Sequence, residues 1–327
     1  MHVVVGGKRH EAHSGTVRGP GYERVMASTR IRRTVASALI AASAATACVD
    51  VPRTPGTVPA PTQSTAPVWS PGGGPRYVAM GDSAAAAPLV PDQAQPTGCL
   101  KSTNDYPSVL ARSIEAASFA DVTCSGARTE DLVSRTQPTR TGEVPPQLDA
   151  VAADTQLVTV TIGGNDIDLP KIAAQCRRTT LDEPPCSPDL VVDGVDGISQ
   201  AIDADADDWS DLIAAIRTKA PDARVIVVGY GTYVRPEGCF PTQPINPVDA
   251  VYFQSKIDEL DGRLKQVAES QGAEFFDTRP LGIGHDMCAA PEDRYIEGFT
   301  PDRPAAPLHP NGAGAAAVGT ALAGYLA

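Results

Sequence analysis

Beyond position 75 the chain carries five short runs dominated by apolar residues, separated by longer stretches with helical spacing. The runs are "RYVAM" (76–80), "FADVTC" (119–124), "LVTVTI" (157–162), "ARVIVVGY" (223–230) and "AEFFD" (273–277). Each is too short for a buried helix and reads as a strand; LVTVTI, continuous and β-branched, is the strongest. Between them, segments 106–116, 195–220 and 248–272 place apolar residues at helical intervals, the last ending at Gly272. "NGAGAAAVGTALAGYLA" (311–327) predicts a helix of small residues packed closely on a neighbour. Strands that are apolar throughout, alternating with helices, predict a parallel sheet covered on both faces. In such a sheet the ligand site lies beyond the carboxyl ends of the strands.

The residues at those ends share a chemistry. Gly81-Asp82-Ser83 follows the first strand, Ser125-Gly126-Ala127 the second and Gly163-Gly164-Asn165-Asp166 the third; His309 lies in the loop after the last. A serine hydroxyl is a weak nucleophile that needs a base within hydrogen-bond reach. A tetrahedral intermediate needs donors where its oxyanion forms. Ser83 N–H, Gly126 N–H and the Asn165 amide could supply three. Each residue alone has a plainer role: Ser83 or Asn165 could cap a helix, Gly126 could be a turn glycine, and His309 could be a surface histidine. Asp82 and Asp166 read as acceptors that brace their loops, and His285 as structural. The acidic run 203–211 reads as a solvated helix face, since it lacks the glycine turn and terminal glutamate of an EF-hand. No Gly-x-Ser-x-Gly elbow, P-loop or His-Glu-x-x-His is present.

Composition adds the compartment. The formal charge is -12, which argues against nucleic acid as a partner. Residues 1–47 hold 7 of the 27 Lys/Arg and 2 of the 39 Asp/Glu, so the remainder is more acidic still. Residues 1–25 read as an upstream extension, disordered or not translated. Residues 26–47 have a basic start at Arg30, Arg32 and Arg33, then an uncharged apolar run. They end in "ATA", the pattern of an export signal peptide. Cys48 follows directly, as in a bacterial lipoprotein box, although Ala45 replaces the usual leucine-like residue. Lipidation of Cys48 would tether an exported protein to the membrane; plain secretion is the alternative. Residues 48–75, rich in Pro, Thr and Gly, read as an extended linker, and 76–327 as one catalytic domain. Six further cysteines suit disulfides in an exported chain, and with no C-x-x-C a zinc site is disfavoured. Six cysteines allow 15 pairings.

"VAMGDS", "TCSGA", "VTIGGND" and "LHPNGAG" resemble, in order, the four blocks of the SGNH (GDSL-type) hydrolase superfamily. "GCLKSTNDYP" (98–107) and "GHDMC" (284–288) resemble elements of its actinobacterial secreted lipase/esterase branch, with Lys101 where arginine is usual. The resemblance implies a flavodoxin-like three-layer α/β/α fold and ester hydrolysis without a metal or cofactor. It implies Ser83 as nucleophile, His309 as base, and Ser83, Gly126 and Asn165 as the oxyanion hole. It also implies the pairings Cys99–Cys124, Cys176–Cys186 and Cys239–Cys288.

Two departures bear on the site. "SAAAAP" follows the serine, and Ala84 to Ala87 are expected to leave the pocket wall roomy, with its other walls drawn from loops 88–98, 177–194 and 232–247. Ala306 stands where many members carry aspartate three residues before the histidine. The branch includes Ser–His dyads completed by a main-chain carbonyl, which here would be that of Ala306; the rival is the Asp286 carboxylate. The expected function is a monomeric serine esterase or lipase, secreted or tethered, acting on acyl esters. The alternatives are a cell-envelope carbohydrate deacetylase or acyltransferase, and a catalytically silent ligand-binding lipoprotein.

Overall fold

The computed structural model describes residues 73–327. The expected export signal, Cys48 and nearly all of the linker lie outside the described residues. In chain order the strands are β1 (Arg76–Gly81), β2 (Ser118–Asp121), β3 (Gln137–Thr139), β4 (Gly142–Val144), β5 (Leu157–Thr161), β6 (Val191–Val192), β7 (Val195–Asp196), β8 (Arg224–Val228) and β9 (Glu274–Phe276). The α-helices are α1 (Ser83–Ala86), α2 (Tyr106–Ser113), α3 (Thr129–Val133), α4 (Leu169–Gln175), α5 (Gly197–Ala204), α6 (Ala206–Lys219), α7 (Pro247–Ser270), α8 (Arg279–Gly282) and α9 (Gly312–Leu326).

Five strands form one parallel sheet in the order β2-β1-β5-β8-β9, the flavodoxin-like order. The pairs β3–β4 and β6–β7 are small antiparallel hairpins. Alternate residues of the sheet face opposite sides. Tyr77, Ala79, Leu157, Ile226 and Val228 pack with α2 and α9; Val78, Met80, Val158, Val160, Val225 and Val227 pack with residues of α3 to α7. The result is the expected three-layer α/β/α fold. The central strand β5 also buries Thr159 and Thr161, whose hydroxyls bond the hydroxyls of Tyr77 (2.7 Å) and Tyr106 (3.0 Å).

The small-residue helix α9 lies against α2 because Gly319 permits it. A Cβ there would lie 2.6 Å from the Val109 side chain and 2.8 Å from the Tyr106 carbonyl oxygen. Segment 195–220, expected as one helix, begins as strand β7, where Asp196 caps α5, and breaks again at Asp205 before α6. Its acids lie outward while Trp209 is fully buried. The cysteines pair Cys99–Cys124, Cys176–Cys186 and Cys239–Cys288, with Cα–Cα separations of 4.4, 5.1 and 5.5 Å. Among the described residues no helix is long and apolar enough to cross a membrane.

Candidate active site

The site grows from the end of β1. Gly81 has φ 148°, and a Cβ there would lie 2.6 Å from the Thr161 carbonyl oxygen, so only glycine fits beside β5. The buried Gln147 side chain holds this residue on both sides: its Oε1 accepts from Gly81 N–H (2.7 Å) and its Nε2 donates to Gly81 O (2.9 Å). Asp82 then caps α1, its Oδ1 accepting from Ala84 N–H at 2.8 Å. The aspartate thus takes the capping role open to a serine here and leaves the Ser83 hydroxyl free. Ser83 opens α1, and among the described residues its own N–H has no acceptor.

His309 comes from the other end of the chain. Segment 295–298 pairs antiparallel with 308–311: Glu297 N–H donates to His309 O (2.9 Å), Leu308 N–H to Gly298 O (3.1 Å) and Asn311 N–H to Tyr295 O (3.0 Å). Beneath it lies a buried polar cluster. Asn311 Nδ2 donates to Glu297 Oε1 and to Arg294 O, both at 2.7 Å, and Arg294 forms an ion pair with Glu297 at 3.2 Å. The cluster fixes the histidine loop from below. His309 Nε2 lies 2.7 Å from Ser83 Oγ, and Nδ1 lies 2.7 Å from the Pro307 carbonyl oxygen. A carbonyl can only accept, so Nδ1 carries the proton and Nε2 presents its lone pair to the serine. Desolvation lowers the His309 pKa below its ordinary value and the Pro307 bond works against that shift. At neutral pH the ring is therefore a free base.

Both expectations for the histidine's partner are corrected here. The carbonyl is that of Pro307, not Ala306. Leu308 sits in the left-handed region at φ 61°, and this turn places the carbonyl two residues back against the ring. Ala306 instead donates its N–H to Pro88 O at 2.8 Å. Asp286 is engaged elsewhere: it accepts from Arg235 Nε at 3.1 and 3.2 Å and from Cys288 N–H at 2.8 Å.

The expected oxyanion donors come to the same edge. Cys124 N–H donates to Gly81 O (3.0 Å) and Ser125 N–H to Cys99 O (3.0 Å), which brings the turn after β2 against the end of β1. Gly126 adopts φ 82°, and its N–H has no acceptor among the described residues. Asn165 uses one amide hydrogen to bond Ala127 O at 2.9 Å, which orients its side chain beside that turn and leaves the second hydrogen free. Asp166 braces the same loop by accepting from Thr129 N–H, Thr129 Oγ1 and Trp209 Nε1.

Tyr230 was not singled out in the sequence. Its hydroxyl donates to Asp82 Oδ2 (2.5 Å) and accepts from Gly164 N–H (2.7 Å), tying together the ends of β1, β5 and β8. The one signal for it is an aromatic residue with a polar tip at a strand's carboxyl end. Asp82 is buried, and desolvation pushes its pKa up to about 7 against the hydrogen bonds from Tyr230 and Ala84. Between pH 4 and 7 the folded state therefore holds a proton here that the unfolded state has released. Asp82 contributes stability at low pH that is lost as pH rises through 7. Asp82→Asn keeps the cap without titrating. The wild-type urea midpoint, relative to this variant, should fall between pH 5 and pH 8; a constant or widening advantage for the wild type would contradict the burial argument.

A cleft of about 400 Å3 opens on Ser83 and His309. Leu169, Pro170, Ala173 and Ala174 of α4 form one wall, and Tyr233, Phe253, Phe299 and Leu308 also line it. Helices α1, α4 and α7 thus share the walls with the loops after the strands; of the three loops expected to build them, 177–194 and 232–247 contribute Arg177 and Tyr233, and 88–98 contributes none of the lining. Of the alanines after Ser83, only Ala84 lines the cleft, because Ala85, Ala86 and Ala87 are buried beneath α1.

Comparison with known proteins gives this geometry its context. A profile of the GDSL-like lipase/acylhydrolase family matches residues 79–317, from β1 to within α9. The chain belongs to this family. It is 34% identical to Lipase 2 of Streptomyces coelicolor over 246 residues, 73% of this chain and 81% of that protein. It is 30% identical to an esterase of Streptomyces scabiei, covering 69% of this chain and 75% of that one. Among solved structures, phospholipase A1 of Streptomyces albidoflavus shares the fold with a TM-score of 0.65 at 22% identity, covering 78% of this chain and all of that one. The GDSL-family protein described here is an ester-hydrolysing enzyme, in the actinobacterial lipase branch that its sequence blocks resemble.

Proposed function

We propose that this enzyme is an exported serine esterase or lipase working through a Ser83–His309 dyad. Ser83 Oγ attacks the ester carbonyl as His309 Nε2 takes its proton. Ser83 N–H, Gly126 N–H and the second Asn165 amide hydrogen receive the oxyanion. The imidazolium returns its proton to the leaving alcohol. Water, deprotonated by the same nitrogen, then releases the acid. The observation that carries this reading is the relay Ser83–His309–Pro307, with both contacts at 2.7 Å. The Pro307 carbonyl does the orienting that a carboxylate does in a triad; a neutral acceptor stabilises the imidazolium less than a carboxylate would. Export is supported by the three disulfides and by the likeness to a Streptomyces rimosus lipase described as extracellular. Lipidation at Cys48 and a membrane tether belong to the same proposal.

The pH dependence of kcat/KM on a soluble 4-nitrophenyl ester tests the dyad. A base with a lowered pKa loses its proton at lower pH, so the activity should rise through a midpoint below 6.5, the ordinary histidine value, and be level at neutrality. A rising limb centred above 7 would contradict a desolvated, carbonyl-oriented His309.

A further inference from the structure

The cleft has a direction. Leu169, Pro170, Ala173, Ala174 and Arg177 all line it. Their spacing of i, i+1, i+4, i+5 and i+8 is a single stripe along α4 and the turn that follows it. The 7 residues of α4 rise about 10 Å, and Arg177 follows them beyond the Cys176 cap. The stripe starts just after Asn165, at the reacting centre, and is apolar until it reaches the Arg177 guanidinium. Arg177 is exposed, and among the described residues neither a hydrogen bond nor an ion pair engages its side chain. The one carboxyl group in the lining, Asp82, is buried and already bonded to Tyr230 and Ala84. In a chain with 39 acidic against 27 basic side chains the mean field repels anions, whereas Arg177 is the one Lys or Arg in the cleft lining.

We propose that Arg177 is a specificity-determining residue that receives an anionic oxygen group, a carboxylate or a phosphate, carried by the ester at its distal end. The inference rests on the esterase reading of Ser83 and His309 and adds to it the polarity of the preferred substrate. A planar guanidinium presents parallel N–H donors that match two oxygens of either anion. The apolar stripe takes the methylenes between the ester and the charge. The anion can sit on the end of the acyl chain or on the alcohol half, and the two are separable by experiment.

Steady-state kinetics on the full chain, below any micelle concentration, would use two matched pairs. One is 4-nitrophenyl octanoate against the mono-4-nitrophenyl ester of octanedioic acid. The other is a short-chain monoacylglycerol against the same molecule bearing a 3-phosphate. The wild type should favour the anionic member of at least one pair, and the responding pair identifies the half that carries the charge. Arg177→Gln should raise KM for that member by about tenfold and leave its neutral counterpart within about twofold; Arg177→Lys should restore part of the loss. Binding of the same pairs to Ser83→Ala, by calorimetry, reads Arg177 independently of turnover. No turnover in the wild type with anion-selective binding in Ser83→Ala would sink the esterase reading and keep this one. Equal binding and turnover of both members of each pair, or an Arg177→Gln loss shared by neutral and anionic esters, would overturn it.

Discussion

Ser83→Ala should lower kcat for ester hydrolysis by about 10⁴-fold or more while leaving the melting temperature almost unchanged. The hydroxyl is the proposed nucleophile, yet it holds nothing structural, because Asp82 caps α1 in its place. His309→Ala should cost a similar factor, since an alcohol without a base at 2.7 Å is unreactive at neutral pH. The double variant should be little worse than either single one, because the two groups act as a unit. Steady-state hydrolysis with thermal melts of all three variants checks this. His309→Ala retaining activity within tenfold of wild type would remove the histidine from the reaction. Additive losses in the double variant would mean that the two residues act separately.

Asn165→Ala should lower kcat by about 10²- to 10³-fold with KM changed only a few-fold. In the proposed mechanism its free amide hydrogen is used on an oxyanion that exists only in the transition state, so ground-state binding has little to lose. The variant also loses the bond to Ala127 O, which should lower stability by about 1 kcal/mol. A purely structural role would show as that stability loss with kcat largely intact. Asn165→Asp should be at least as impaired as Asn165→Ala, since its carboxylate would face the developing negative charge. Full kinetics on both variants, beside their urea midpoints, separates the two roles.

The sheet was legible because its strands are buried on both faces and read as apolar runs, and the gathering of Ser83, Gly126, Asn165 and His309 at one edge was legible because each lies in the connection that follows a strand. The break at Asp205 was hidden: Ile198, Ile202, Trp209, Leu212 and Ile216 keep one helical phase across it. The histidine's acceptor was misplaced by one residue because it depends on the left-handed φ of Leu308, a conformation that leucine gives no sign of adopting. Gln147 and Tyr230 act on residues 66 and 148 positions away, contacts that no local pattern encodes. The share of α4 in the cleft wall was missed because it spans 7 residues, too few for its stripe to stand out.

Fluorophosphonate labelling of the full chain, located by peptide mass spectrometry under non-reducing conditions, tests the dyad most directly. The reagent phosphonylates a serine only where a base has activated it. The account predicts close to one label per chain, on the peptide that contains Ser83, with labelling greatly slowed in His309→Ala. A label on another residue, or none in a folded chain carrying all three disulfides, would contradict it.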